Sequence, residues 1–162
     1  MIRSAIAAFG DTRMQVVLTT GYQELPSELA PLPSNFHHAA YLPGRAMAER
    51  CDLMVHNGGH GSVMMGLLAG TPAVIIPTIT ERESNARRVM ALGAGEIVLP
   101  TNGADGEKRI DVGDFSAKVQ QVLTEPSYRQ SARRVADSMS KLGGIREAAD
   151  RIERCASLNR SS

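Results

Sequence analysis

The sequence predicts an α/β fold, namely a Rossmann-like parallel sheet with helices on both faces. Short, almost continuously apolar segments, typical of strands buried on both faces, alternate with segments of helical periodicity. A glycine-rich turn connects one of the apolar segments directly to a helical one, and no internal repeat or interdomain linker interrupts the 162 residues. This alternation is typical of one domain in which helices cross over between parallel strands.

Twelve segments follow from this pattern, taken in order of type. The predicted strands are short and apolar and end at glycine or proline: 14–21, 35–43, 52–58, 72–77 and 95–100. The predicted helices have apolar residues three or four positions apart: 1–10, 44–51, 62–70, 81–92, 114–126, 127–142 and 145–158. Asp114 is the expected N-cap of the fifth helix. The polar segment 101–113 is predicted to be a loop.

Charge and composition narrow the possible partners. A formal net charge of +1 gives no reason to expect nucleic-acid binding. No apolar run reaches the roughly 18 residues that a membrane-spanning helix needs. The two cysteines, Cys51 and Cys155, have no paired spacing and indicate a reducing, cytoplasmic setting. No metal is expected, because the glycines between His56 and His60 argue against a shared helical face.

The stretch VHNGGHGS at 55–62 connects a predicted strand to a predicted helix. A helix start exposes N–H groups and the positive end of the helix dipole, and glycines let the backbone approach an anion closely. The stretch is therefore interpreted as a phosphate cradle, with a tight turn that binds no ligand as the alternative. It is neither a P-loop nor a dinucleotide fingerprint, because no lysine follows Gly61 and Met64 replaces the third glycine. Ser62 is not the centre of a Gly-x-Ser-x-Gly elbow.

Together with the residues around it, this turn resembles a known family. The segments HNGGHGS, AGTP, AVIIP, ER and NA occur in this order, preceded by LPSNFHHAAYLP and followed by GAGEIVLP. The combination resembles the carboxyl-terminal, donor-binding domain of GT-B glycosyltransferases, in the group of UDP-glucuronosyltransferases and antibiotic glycosyltransferases. The resemblance spans nearly the whole chain. It implies that residues 1–162 bind a nucleotide-diphosphate sugar for glycosyl transfer, without a metal or other cofactor.

The resemblance also implies which residues meet the donor. One continuous segment would bind the diphosphate: His56, Asn57, Gly58, Gly59, His60, Gly61 and Ser62. Tyr41 stands where some relatives stack an aromatic ring on the base, with a core residue as the alternative, and Glu81 and Arg82 stand where the family grips sugar hydroxyls. No catalytic residue is expected on this chain. His60 is the one candidate base near the turn, against a role as a loop residue packed beside the glycines.

Three substitutions depart from the family pattern. Asn57 replaces a histidine that contacts the diphosphate, and an asparagine can donate a hydrogen bond but carries no charge. Met65 replaces the acidic residue that holds the ribose hydroxyls in many relatives, which favours a 2′-deoxyribose donor such as a dTDP-sugar, or weak ribose recognition. Glu81 and Arg82 replace Asp-Gln, so that Arg82 adds a cation for a phosphate or an acidic sugar. The alternative for this pair is a helix-start carboxylate and a solvated arginine.

The family's donor domain begins with a central strand that has no counterpart before the first helix here. An absent central strand leaves two sheet edges with unpaired backbone groups. The chain is therefore expected to be truncated or misplaced at its start, or to be completed by another chain, with a homodimer as one possibility. The acceptor-binding domain, which usually carries the general base in this family, is expected in a missing domain or partner subunit. Two other functions stay open: a degenerate, non-catalytic binding or partner module, and a nucleotide-sugar epimerase-like domain.

Overall fold

The computed structural model describes residues 1–103 and 106–158, in which strands and helices follow one another largely in the predicted order. The strands are β1 (Val16–Thr19), β2 (Phe36–Ala39), β3 (Met54–His56), β4 (Ala73–Ile75), β5 (Gly95–Ile97), β6 (Thr101–Asn102) and β7 (Lys108–Arg109). The α-helices are α1 (Ile2–Phe9), α2 (Gly44–Ala48), α3 (His60–Ala69), α4 (Thr80–Ala91), α5 (Val112–Thr124), α6 (Pro126–Ser140) and α7 (Gly144–Leu158). The α/β class is confirmed.

The first five strands form two parallel sheets. β1 pairs with β2, with Val16 opposite Phe36, whereas β3, β4 and β5 form a second sheet in that order. Among the described residues, β1 and β3 each have a neighbouring strand on one side only. Val17 on β1 and Val55 on β3 are 41% and 38% exposed.

Strand β4 is buried on both faces because helices cover the sheet from both sides. Val74 lies in one core with Phe9 of α1 and Phe115 of α5, whose rings meet edge to face at 5.1 Å. Phe36 of β2 belongs to the same core, so the two sheets share it. Ile75 alternates to the opposite face and packs in a second core formed with α3, α4 and α6. The helices on both faces are as predicted.

Residues 101–113 correct the predicted elements. They contain an antiparallel hairpin, β6–β7, in which Thr101 pairs with Arg109. The helix after the hairpin begins at Val112, so Asp114 was wrong as its N-cap. The actual cap is Asp111, whose carboxylate accepts a 2.8 Å hydrogen bond from the N–H of Asp114. The two aspartates are three residues apart, which is the spacing between a capping side chain and the N–H that it serves.

Asn35 fastens the chain between α1 and β1 to the start of β2. Its buried side-chain amide donates hydrogen bonds of 2.9 Å to the carbonyl oxygen of Phe9 and 2.8 Å to that of Met14. Its backbone carbonyl accepts a 2.9 Å bond from the N–H of Val16. One residue thereby satisfies the backbone groups at the point where the chain enters the first sheet.

We expect Asn35→Ala to lower the free energy of unfolding by about 1–3 kcal/mol, because buried carbonyl groups lose their donor. Urea unfolding followed by circular dichroism measures the change. The control is Ser34→Ala at the exposed neighbouring residue, which should change stability by less than about 0.5 kcal/mol. An Asn35→Ala variant as stable as this control would contradict the role of the amide.

Candidate functional site

The glycine turn lies between the end of β3 at His56 and the start of α3 at His60. Gly58 has a φ of +84°, which is a left-handed conformation. A Cβ atom at this position would lie 2.7 Å from the carbonyl oxygen of Arg82 and 3.0 Å from Cγ2 of Ile75. Only glycine meets both the backbone and the space requirement. The glycine-rich loop therefore packs directly against the first turn of helix α4.

Two side chains of the turn organise its backbone. Nδ1 of His56 accepts a 3.1 Å hydrogen bond from the N–H of Gly58, and Oδ1 of Asn57 accepts one of 3.1 Å from the N–H of Gly59. No side chain caps α3, and the carbonyl of Gly59 accepts the first intrahelical bond. The N–H groups of residues 60–62 therefore have no acceptor within the helix. They form a set of donors at the positive end of its dipole.

The surface above these donors is open. Gly61 is exposed, and a Cβ atom there would meet no other atom within 4 Å. Ser62 is half-buried in the first turn of α3. His60 is the exposed first residue of α3, so the interpretation of it as a loop residue packed beside the glycines was wrong. The helix begins earlier than predicted because Gly59 already occupies the N-cap position.

His56 is buried, and this burial lowers the pKa of its imidazole to about 4. The ring is therefore neutral at pH 7, which its role as an acceptor at Nδ1 also requires. His56 shapes the turn and brings no positive charge to it.

Helix α4 supplies a polar link between the turn and the residues predicted to hold the sugar. Nδ2 of Asn85 donates to the carbonyl oxygen of Gly58 at 3.0 Å and to Oε1 of Glu81 at 2.7 Å. Arg82 is half-buried, and its Nη1 donates a 2.7 Å bond to Oγ1 of Thr78. The structure thus brings Glu81 and Arg82 next to the glycine turn, and Arg82 is not simply a solvated arginine.

The β6–β7 hairpin reaches the same place. The ammonium group of Lys108 donates to the carbonyl oxygen of Thr78, at the start of the segment that leads into α4. The sequence prediction missed Lys108, Thr78 and Asn85 as neighbours of the site. Asn85 had a signal, since a residue four positions after Glu81 lies on the same helix face. No sequence signal indicated Lys108, because it falls in the segment predicted to be a loop.

The residues predicted to lie near the base and ribose occupy adjoining elements. Met65 on α3 contacts the start of α2, since a Cβ atom at Gly44 would lie 2.6 Å from its Sδ. Tyr41, three residues before Gly44, is 56% exposed. It is therefore not a core residue, and its ring stacks on that of Tyr22. Tyr22 was not predicted, although an aromatic residue directly after a strand was a usable signal.

The described parts of the chain hold no group of three or more histidine, cysteine or carboxylate side chains placed to bind a metal ion. In residues 1–103 and 106–158, no helix combines the length and the apolar character that crossing a bilayer requires.

The neutral, buried His56 makes stability depend on pH. Its pKa is about 4 in the folded chain against 6.5 in the unfolded chain, so the unfolded chain takes up the proton first as the pH falls. The resulting loss of stability is absent above pH 6.5, grows as the pH falls towards 4, and reaches roughly 3 kcal/mol.

We expect His56→Asn to remove most of this dependence, because Oδ1 of the asparagine can replace Nδ1 as an acceptor and does not titrate. Between pH 7 and pH 5, its free energy of unfolding should fall by about 2 kcal/mol less than that of the wild type. Urea unfolding at each pH gives the slopes. His37→Asn, at an exposed histidine on β2, is the matched control and should keep the wild-type slope. Equal slopes for His56→Asn and the wild type would show that His56 is not the titrating group.

Known proteins share both the sequence and the fold. The chain matches the family described as "Erythromycin biosynthesis protein CIII-like, C-terminal domain" over residues 3–154. The NDP-glycosyltransferase YjiC of Bacillus subtilis is 30% identical over 151 residues, which are 93% of this chain and 37% of YjiC. CalG4, the calicheamicin glycosyltransferase, superposes with a TM-score of 0.82 at 28% identity, over 99% of this chain and 40% of CalG4. The Streptomyces sp. SF2575 glycosyltransferase SsfS6, complexed with thymidine diphosphate, superposes with a TM-score of 0.65 at 28% identity, over 87% of this chain and 34% of SsfS6.

This chain spans only about a third to two fifths of the length of these relatives. The resemblance seen in the sequence is confirmed by a match that covers nearly all of the chain. The chain belongs to the erythromycin biosynthesis protein CIII-like C-terminal domain family, whose relatives are GT-B glycosyltransferases.

Proposed function

We propose that residues 1–162 form the nucleotide-sugar donor-binding domain of a GT-B glycosyltransferase, and that the diphosphate of the donor binds at the amino terminus of α3. The observation that carries this proposal is the open glycine turn, where the N–H groups of residues 60–62 have no acceptor within the helix. The complex of SsfS6 with thymidine diphosphate supports a nucleoside diphosphate as the ligand class.

The donors at this helix start suit the chemistry of glycosyl transfer. As the bond between the sugar carbon and the phosphate oxygen breaks, the leaving nucleoside diphosphate gains negative charge. Backbone N–H groups of residues 60–62, the Ser62 hydroxyl and Nδ2 of Asn57 would stabilise that charge in preorganised positions. Oδ1 of Asn57 already accepts a hydrogen bond from the N–H of Gly59. This bond fixes the orientation of the side-chain amide and leaves Nδ2 to act as the donor. No metal ion takes part in this proposal.

The other half of the reaction belongs to another domain or subunit. In the proposed reaction the acceptor hydroxyl attacks the anomeric carbon with inversion while a general base on the acceptor-binding domain takes its proton. Glu81 would accept hydrogen bonds from sugar hydroxyls, held by the bond that it receives from Asn85. This chain thus binds the donor and supplies no base, so it would transfer little or no sugar alone.

A non-catalytic binding or partner module is the second candidate function. Asn57, Met65 and Arg82 favour it, because each replaces a residue that the family pattern places on the donor. The backbone donors of α3 are unaffected by these replacements. Donor-dependent sugar transfer after addition of an acceptor-binding domain therefore separates the two candidates, while the glycosyltransferase relatives favour transfer over an epimerase-like reaction.

We expect calorimetric titration of the chain to show binding of a nucleoside diphosphate among UDP, dTDP and GDP, and Ser62→Ala to weaken it by about 1 kcal/mol, roughly fivefold in Kd. The loss follows from removing one hydroxyl donor to the diphosphate. The control is Ser138→Ala on α6, an exposed helical serine whose hydroxyl bonds to the carbonyl of Arg134. An absence of binding by all three nucleotides would support the non-catalytic module instead.

We expect the wild type to bind dTDP more tightly than UDP, and Met65→Glu to shift the preference towards UDP. A carboxylate at this place can accept hydrogen bonds from both ribose hydroxyls, whereas a thioether accepts poorly. The shift should be about threefold to tenfold in the ratio of the two Kd values. Met65→Leu, which keeps an apolar contact with Gly44, is the control. An unchanged ratio in Met65→Glu would place the ribose elsewhere.

A further inference from the structure

Two exposed tyrosines form a stacked pair beyond the ends of β1 and β2. The rings of Tyr22 and Tyr41 have centroids 4.9 Å apart and planes inclined by only 6°. Tyr22 is 75% exposed and Tyr41 is 56% exposed. Because Tyr22 covers one face of the Tyr41 ring, an exposure of this size means that the opposite face is open to solvent.

The backbone holds Tyr22 in an unusual conformation. Its φ is +70°, and within the described residues no other non-glycine residue has a positive φ. Such a conformation costs energy for a bulky L-residue and persists only where the surroundings impose it. Here the N–H of Tyr22 donates a 2.9 Å hydrogen bond to the carbonyl of Ala40, next to Tyr41. The bond fastens the two loops together and places one ring on the other.

The pair is connected to the proposed donor site through α2 and α3. Tyr41 is three residues before Gly44, which contacts Met65 on α3. The same helix begins with the donors of residues 60–62, so one rigid element connects the stacked rings to the proposed diphosphate site. An aromatic face that is open, fixed and adjacent to a diphosphate site suits a nucleobase.

We propose that Tyr22 is a positioning residue for the nucleobase of the donor. The resemblance implies that the base stacks on Tyr41, and Tyr22 lies behind that ring, so that the two rings together form a two-ring platform with the base on the open face of Tyr41. This inference rests on the proposed function. Tyr22 acts through Tyr41, since it fixes the plane of the ring that the base stacks on. Stacking tolerates any base, because every base has a π-face. The platform therefore raises affinity for nucleotides over pyrophosphate without choosing between UDP and dTDP.

Two variants distinguish the contribution of the Tyr22 ring from that of its backbone conformation. Tyr22→Asn removes the ring but keeps a residue that tolerates positive φ, whereas Tyr22→Phe keeps the ring. Calorimetric titration with dTDP and with pyrophosphate, which has no base, measures both affinities in each variant. We expect Tyr22→Asn to raise the Kd for dTDP about twofold to tenfold, which is the range expected from loss of an aromatic pair. The Kd for pyrophosphate should not change. Tyr22→Phe should bind both as the wild type does.

A double-mutant cycle tests whether Tyr22 acts through Tyr41. Tyr41→Ala should raise the Kd for dTDP about tenfold. Adding Tyr22→Asn to Tyr41→Ala should cause no further loss of affinity. The chain has no tryptophan, so tyrosine emission gives a second measure of stacking, with quenching by dTDP expected in the wild type and diminished in both single variants.

The outcomes distinguish the platform from the proposed function. If dTDP binds with dependence on Ser62 but Tyr22→Asn leaves the ratio of dTDP to pyrophosphate affinity unchanged, the platform is overturned and the donor site stands. Additive losses in the cycle would also overturn the positioning role, because Tyr22 would then act independently of Tyr41. If the wild type binds neither dTDP nor pyrophosphate, the proposed function fails and the platform fails with it.

Discussion

The contact between Gly58 and the carbonyl of Arg82 is the constraint on which the geometry of the site depends. A Cβ atom at Gly58 would lie 2.7 Å from that oxygen, so any other residue would push the start of α4 away from the turn. The same closeness allows Asn85 to reach the carbonyl of Gly58, and through it Glu81 is oriented. One glycine therefore couples the proposed diphosphate site to the proposed sugar site.

The buried strand β4 explains why these two helix starts meet. Its neighbours β3 and β5 run parallel to it, so the turn after β3 and the turn after β4 both lie at the carboxyl ends of the strands. Burial on both faces fixes β4, because Val74 and Ile75 belong to cores on opposite sides. A side-chain contact adds to this, as the buried Oγ1 of Thr71, just before β4, donates a 2.6 Å bond to the carbonyl of Ala48 in α2.

The sequence was sufficient for the fold class, because the fold class depends on local patterns; the place of the site stays a prediction. Short, almost continuously apolar runs and glycines at a strand-to-helix junction are visible in the letters alone. The hairpin at 101–109 was missed because its two short strands are polar and exposed. Contacts between residues far apart in sequence, such as that between Lys108 and Thr78 or Tyr22 and Tyr41, have no local pattern and required the structure.

Asn57 and His56 both act as uncharged acceptors in the glycine turn. A protonated histidine at this place could not accept the hydrogen bond that Asn57 Oδ1 receives from Gly59, and His56 beside it is neutral because of burial. At the proposed diphosphate site, backbone and amide dipoles of the turn would therefore meet the anion, with no charge from His56 or Asn57. Arg82 and Lys108 both bond to Thr78, on the side of Glu81. Positive charge thus lies beside the proposed sugar site, whereas the proposed diphosphate site is formed mainly by backbone N–H groups.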